Sequence, residues 1–189
     1  SISEADRNNY GKESFTDWEK AQTVQIVNET INGNSVQAYK VQGVPSGETF
    51  IDILKSGNLQ NKMKIQPQKV YTLSFWAKAS ESGHGIYCYL YPDISHTGLN
   101  GVYYKGVNGA GTQEQKTSSE DGSTLCEIDS TWRKFYIHWH PHKVGDTINC
   151  NVGRLYYNMV VWLSDVKLEE GYICDENITS QETYSSIRQ

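Results

Sequence analysis

The stretch Val70-Tyr-Thr-Leu-Ser-Phe-Trp-Ala-Lys-Ala79 alternates two kinds of side chain, and that alternation decides the fold. Neighbours along an extended chain point to opposite sides of a sheet, so Tyr71, Leu73, Phe75 and Ala77 share one face and Thr72, Ser74, Trp76 and Lys78 the other. The first set reads as core. Trp76 is thereby pushed outward among polar neighbours, where a large ring needs a reason to be. The run Ile86-Tyr-Cys-Tyr-Leu-Tyr91 divides the same way: Ile86, Cys88 and Leu90 point inward, and Tyr87, Tyr89 and Tyr91 form an outward stripe. In Arg133-Lys-Phe-Tyr-Ile-His-Trp-His140 the apolar set is Phe135, Ile137 and Trp139, which leaves Tyr136, His138 and His140 outward. These histidines and tyrosines are expected to share one surface.

The same period of two recurs along the chain, and helical periodicity is nearly absent. Strands are expected at 23–27, 35–42, 49–54, 62–65, 71–78, 85–91, 102–105, 133–140, 147–152 and 159–168. Turn signals punctuate them, among them Asn32-Gly33-Asn34, Pro45-Ser-Gly47, Pro92-Asp93 and Gly145-Asp146. Short strands at this spacing make the class all-β, a two-sheet antiparallel β-sandwich. Residues 106–124, dense in Gly, Ser, Thr and Gln, read as a long loop over one edge. No internal repeat is visible.

Composition narrows the partners. The net charge is −5 and no basic run occurs, which argues against a nucleic-acid partner. No apolar run approaches the roughly 20 residues of a membrane span, and no secretory leader opens the chain. The opening Ser1-Ile2-Ser3 reads as a cut within a longer protein. Cysteines 88, 126, 150 and 174 show no zinc spacing. Cys88 and Cys150 alternate with apolar residues and read as small buried residues, with a disulfide framework as the other reading. Thirteen tyrosines and five tryptophans stand against four phenylalanines. Rings with a polar handle suit a wet binding face.

Three segments carry a family resemblance: Val70-Tyr-Thr-Leu-Ser-Phe-Trp-Ala-Lys-Ala-Ser80, Trp132-Arg-Lys-Phe-Tyr-Ile137 and Leu163-Ser-Asp-Val-Lys-Leu-Glu-Glu-Gly171. In order and spacing they resemble carbohydrate-binding modules of the family four and nine kind, galactose-binding-domain-like jelly rolls found in polysaccharide-degrading enzymes. The closing Val166-Lys-Leu-Glu-Glu-Gly171 resembles versions carried by bacteriophage tail, baseplate and fibre proteins. The resemblance spans residues 15–172 and implies a jelly-roll module over 15–174, a lead-in over 1–14 and a linker to a following domain over 175–189. It also implies non-catalytic carbohydrate binding, since flat rings stack on sugar rings while amides and hydroxyls take up the sugar hydroxyls. Trp76, Tyr87, Tyr89, Tyr91, Tyr136 and Trp162 are the candidate rings, and His138 and Asn158 the candidate polar groups. Trp132 and Trp139 read as packing residues. In many modules of this kind a structural calcium ion joins the N-terminal loop to the last strand, which implies Asp165 as a ligand, with Asp17 or Glu19 as partners.

Sharper readings compete with these. His138 and His140, with Asp146 further on, resemble the His-x-His and carboxylate arrangement of cupin metal sites. The bland reading makes them polar members of an exposed strand face. Glu127-Ile-Asp129 looks like half of the Glu-x-Asp-x-Glu signature of jelly-roll glucanases, but Ser130, Thr131 and Trp132 follow and the acid/base partner is missing. No nucleophile elbow, phosphate loop or dinucleotide fingerprint appears. Asn28-Glu-Thr30 and Asn177-Ile-Thr179 are glycosylation sequons only on a eukaryotic secretory route. The expectation is a non-enzymatic jelly roll that reads a polysaccharide or host cell-surface glycan, within a phage tail or baseplate protein of the virion. A purely structural tail domain and an accessory module of a secreted glycoside hydrolase are the alternatives.

Overall fold

A strand with one apolar face must bury that face, and the short strands of this chain do so by pairing into two sheets that close on each other. The computed structural model describes residues 8–11, 17–96, 101–106 and 123–173. In chain order its strands are β1 (Asn9–Tyr10), β2 (Glu19–Lys20), β3 (Gln25–Ile31), β4 (Asn34–Gln42), β5 (Ile51–Lys55), β6 (Tyr71–Ala79), β7 (His84–His96), β8 (Gly101–Gly106), β9 (Thr124–Ile128), β10 (Arg133–Trp139), β11 (Pro141–Leu155) and β12 (Val160–Glu170). A seven-stranded sheet runs β3-β4-β12-β6-β10-β8, with β1 added to β12, and a five-stranded sheet runs β2-β5-β11-β7-β9. Their pairings are antiparallel, as in β6 with β10 and β7 with β11. From β4 onward, successive strands alternate between the sheets. The architecture is a two-sheet jelly-roll sandwich.

The core forms where the inward sets meet. Leu73, Phe75, Ile137, Trp139 and Leu168 come from the larger sheet, and Ile86, Cys88, Leu90, Cys150 and Val152 from the smaller, each 0 % exposed. Each of the larger apolar side chains contributes on the order of 1.5–3 kcal/mol by burial. Phe75 and Phe135, opposite each other in the β6–β10 register, stack at 5.3 Å. Cys88, Cys126 and Cys150 are free buried thiols, as the alternation of Cys88 and Cys150 implies. Burial pushes the Cys150 thiol upward, so it stays protonated.

The expected strand at 62–65 does not form. A 3-10 turn at Leu59–Asn61 occupies the approach to it, capped by the Asn58 side chain, and Lys64 sits at φ 54, outside strand geometry. Met63 and Ile65 are buried from this turn, which is why their spacing imitates a strand. Strand β9 lies partly within the expected 106–124 loop, of which residues 107–122 fall outside the described residues. Within the expected lead-in, β1 pairs with β12 and Tyr10 is buried.

Candidate functional site

The outward tyrosines of β7 and the outward tryptophan do not share a surface. β6, which carries Trp76, and β10, which carries Tyr136 and His138, lie in the seven-stranded sheet, whereas β7, with Tyr87, Tyr89 and Tyr91, lies in the five-stranded sheet. Each set points outward as the alternation requires, but the two sets look away from each other on opposite sides of the sandwich. The expected common site is therefore two faces.

On the five-stranded face the rings form a chain of contacts that runs along β7 and then curves around Arg154. Tyr91 and Tyr89 have centroids 5.6 Å apart, Tyr89 and Tyr87 6.5 Å, Tyr87 and Tyr156 5.8 Å, and Tyr156 and Phe50 5.7 Å. Residues two apart on a strand are separated by about 6.6 Å, so the spacing of Tyr87, Tyr89 and Tyr91 follows from the backbone repeat of β7. All three strand tyrosines are half-buried, and Phe50 and Tyr156 are exposed. A second line runs beside the first on β11. The register sets Tyr91 opposite Asn149, Tyr89 opposite Asn151 and Tyr87 opposite Arg154, so each ring has a polar neighbour across the strand gap. The Asn151 amide, 1 % exposed, donates to the Tyr91 hydroxyl at 3.3 Å and so holds that ring in place.

The break in spacing between Asn151 and Arg154 has a local cause. The β7–β11 register shifts between Val152 and Arg154, and the extra residue returns Arg154 to the outer face instead of burying it. Gly153 fills that place because an added Cβ would lie 2.8 Å from Ile86 Cδ1 in the core. Once outward, the Arg154 guanidinium lies 4.1 Å from the Phe50 ring centre and 5.0 Å from that of Tyr89. Its Nε and Nη2 donate to the Asp52 carboxylate at 2.9 and 3.1 Å. This bidentate geometry fixes the cation and balances its charge. Beyond Phe50 and Asp52 the face continues into a groove of about 450 Å³ that Glu19, Thr23, Glu48 and Lys55 also line. Asn149, Arg154, Asp52, Phe50 and Tyr156 are functional candidates that sequence reasoning missed. The alternation Asn149-Cys150-Asn151 was the available signal for the first.

The seven-stranded face is built differently. Ile31, Ala38 and Trp132 form a small buried cluster there, against which Val27, Val36, Trp76 and Trp162 pack. Lysines cover several of these rings: Lys78 lies 4.7 Å from the ring centre of Trp162 and 5.1 Å from that of Trp132, and Lys40 lies 5.5 Å from Trp162. Lys78 also pairs with Glu29 at 2.7 Å. Trp132 is packed as expected, although in this outer cluster rather than between the sheets. Tyr136 is half-buried with Lys134 5.7 Å from its ring.

His138 and His140 are buried, contrary to the expectation of an exposed strand face; His138 is 2 % exposed. The chain after β12 crosses the outer side of β6 and β10 and covers His138. The Thr72 hydroxyl donates to the Gly171 carbonyl at 2.7 Å and accepts from the Ile173 N–H at 3.0 Å. His138, opposite Thr72 in the register, places Nε2 2.7 Å from the Ile173 carbonyl and stacks under Tyr172 at 4.0 Å. Burial lowers its pKa to about 4, against a smaller opposing effect of the Ile173 carbonyl, so the ring is neutral near pH 7. Asp146, the carboxylate of the cupin reading, is exposed, and its backbone carbonyl accepts from Asn58 at 3.0 Å.

Asn158 is exposed in the β11–β12 connection and packs against Gly43. Asp165 sits in the β12 bulge with its side chain 60 % exposed, and Lys134 Nζ lies 3.4 Å from its Oδ2. Asp17 accepts from the Gly11 N–H and Glu19 faces Lys55 at 3.9 Å. Among the described residues no three His, Cys, Asp or Glu side chains gather to hold a metal. An ammonium already beside Asp165 opposes a second cation at that carboxylate. Of the glucanase half-signature, Glu127 is exposed on the five-stranded face, while Asp129 is tied to Arg133 at 3.0 Å and to the Thr131 N–H. Burial alone would raise the Asp129 carboxyl, but those hydrogen bonds outweigh it and hold the group below the ordinary carboxylate range.

No protein-family model matches the chain, and no curated protein matches it. Solved structures do. The CBM22-1 xylan-binding domain of Paenibacillus barcinonensis Xyn10C aligns at 11 % identity over 87 % of this chain and 94 % of its own, with a TM-score of 0.48. The C-terminal family 22 carbohydrate binding module of Clostridium thermocellum Xyn10B aligns at 10 % identity over 88 % and 94 %, with a TM-score of 0.44. The CBM22-1 and GH10 modules of Clostridium thermocellum Xyn10B, complexed with xylohexaose, align at 10 % identity over 87 % of this chain and 28 % of theirs, with a TM-score of 0.44. These neighbours are carbohydrate-binding modules, in one case beside a GH10 module. Likeness at this level carries nothing about which ligand this chain takes.

Proposed function

We propose that the domain binds an extended carbohydrate chain, without chemistry, along the outer face of its five-stranded sheet. One observation carries the reading: Tyr91, Tyr89 and Tyr87 run along β7 beside Asn149 and Arg154, and Tyr156 and Phe50 close around the guanidinium. Half-buried rings offer apolar faces for successive sugar rings, and the Asn149 amide and the guanidinium beside them take up hydroxyls. Three tyrosines spaced along one strand favour a run of sugar units over a single one. Asp52 neutralises Arg154, which favours neutral sugars over uronates. Among the described residues the carboxylate beside this ladder of rings, Asp52, is tied to Arg154, which favours binding over hydrolysis as the task of this face.

The finer setting belongs to the same proposal. Recognition of a host cell-surface glycan by a phage tail or baseplate protein rests on the resemblance of Val166–Gly171, and an accessory role in a secreted glycoside hydrolase uses the same face. The domains that flank this one in the full-length protein separate the two. A glycan array of plant and bacterial cell-wall polysaccharides, followed by calorimetry, tests the binding itself. Saturable binding that falls in Tyr89→Ala and Arg154→Ala is expected. No ligand on the array replaces this reading with that of a purely structural tail domain.

A further inference from the structure

The seven-stranded sheet carries a cavity that belongs neither to the ladder nor to the core. β12 pairs with β4 only from Val160 to Leu163, and then bulges between Ser164 and Lys167. Asp165, at the bulge, stands at φ 51, in the left-handed region that non-glycine residues enter rarely. The two strands part there and leave a groove of about 450 Å³. Ligand sites commonly span about 300–1,000 Å³. Bulges and left-handed residues recur where a side chain is aimed at a ligand.

The chemistry of the walls narrows the occupant. Trp76, Val36 and Ile31 supply an apolar wall, and Asn32, Asn34 and Asp165 supply polar groups. Asn32 belongs to the tight turn joining β3 to β4, so that turn bounds the groove at one end. Lys134 balances the Asp165 charge, which disfavours an ionic ligand, and the exposed carboxylate still accepts from a ligand hydroxyl. One indole wall facing amides and a carboxylate matches a single polyhydroxylated ring. Lys134 Nζ lies 5.9 Å from the Trp76 ring centre, farther off than the lysines at 4.7 and 5.5 Å from that of Trp162.

We propose that this groove is a second carbohydrate site, one that takes a single neutral sugar unit, a chain end or a branch, on the side of the sandwich opposite the ladder. Trp76 stacks on the ring, and Asn34 and Asp165 engage its hydroxyls. Two sites facing opposite ways let one domain hold two chains, or two parts of one branched glycan. The site stands or falls independently of the ladder.

Amide NMR titration with the methyl glycosides of xylose, glucose, galactose and N-acetylglucosamine tests it on the full chain. At least one probe should give saturable shifts at the amides of residues 32–36 and 164–166. Tyr89→Ala, on the other sheet, should leave that apparent Kd within about twofold. Trp76→Ala and Asp165→Asn should each raise it about tenfold or more. Trp76 also packs on the outer cluster, so Asp165→Asn, whose amide side chain tolerates the left-handed backbone, separates binding from folding. Four results overturn the proposal: no saturable shift from any probe, shifts confined to other residues, shifts lost in Tyr89→Ala, or shifts that survive both groove variants.

Discussion

Tyr89→Ala is the sharpest perturbation of the ladder, because Tyr89 is its middle strand ring. Its neighbours are Tyr91 at 5.6 Å, Tyr87 at 6.5 Å and the Arg154 guanidinium at 5.0 Å. Each aromatic pair is worth about 0.5–1.5 kcal/mol beyond area, and a partly exposed cation–π contact about 0.5–1 kcal/mol. The truncation should therefore cost about 1.5–4 kcal/mol of stability. In a domain of this size that lowers Tm by roughly 3–16 °C, at about 2–4 °C per kcal/mol. A core ring such as Phe75, 0 % exposed, should cost about 3–5 kcal/mol by contrast. Sugar affinity should fall by about 1–2 kcal/mol, or roughly 5- to 30-fold in Kd. Calorimetry with the polysaccharide found on the array, alongside thermal melts, reads both quantities. Tyr136→Ala, half-buried on the opposite sheet, is the control and should leave polysaccharide affinity unchanged. Unchanged affinity in Tyr89→Ala, or an equal loss in Tyr136→Ala, refutes the assignment of the site to the five-stranded face.

His138 makes stability depend on pH, since its folded pKa of about 4 lies below the ordinary 6.5. The unfolded chain binds more protons between those values, so this stability is fully present above about pH 6.5 and lost as pH falls toward 4. On the order of 3 kcal/mol is involved, and urea unfolding should show a flatter pH slope in His138→Gln. Gly153→Ala should cost about 1–3 kcal/mol, read as a lower Tm, because the new Cβ would press on Ile86 from 2.8 Å. Asp52→Asn removes the charge that balances Arg154, so affinity electrophoresis should show pectate retarding this variant more than wild type. Calcium and EDTA should leave Tm unchanged, because Lys134 already occupies the Asp165 carboxylate; a saturable rise of Tm with calcium contradicts that.

The sandwich was legible because period two is a local signal. Leu73 and Phe75 against Trp76, or Ile86 and Cys88 against Tyr87, need only the alternation of an extended chain, and their burial agrees. What failed needed distant chain. Met63 and Ile65 are spaced like strand residues but are buried from a 3-10 turn, and two residues cannot distinguish the two cases. His138 sits on the outer side of β10, as its neighbours require, yet it is buried because Tyr172 and Ile173 return from the far end of β12 to cover it. Alternation reports the side of the sheet and nothing about what lies over it.

The candidate site exposes the same limit more sharply. A sandwich has two outer faces, and a pattern that sorts residues into inward and outward cannot say which outer face a residue joins. Consecutive strands of this jelly roll cross from one sheet to the other, so β6 and β7, neighbours in sequence, send Trp76 and Tyr87 to opposite sides of the molecule. Sheet membership is set by pairing with strands far along the chain, β6 by β10 and β12, β7 by β9 and β11. The polar half of the ladder was hidden by a second device. Asn149 and Asn151 keep the period, but the shift between Val152 and Arg154 reverses it, and strict alternation from Asn151 would send Arg154 into the core. The bulge that defeats the pattern is what sets the guanidinium between Phe50 and Tyr89. The residue that best distinguishes a binding face from an ordinary tyrosine stripe is thus the one that breaks the rule by which the stripe was found.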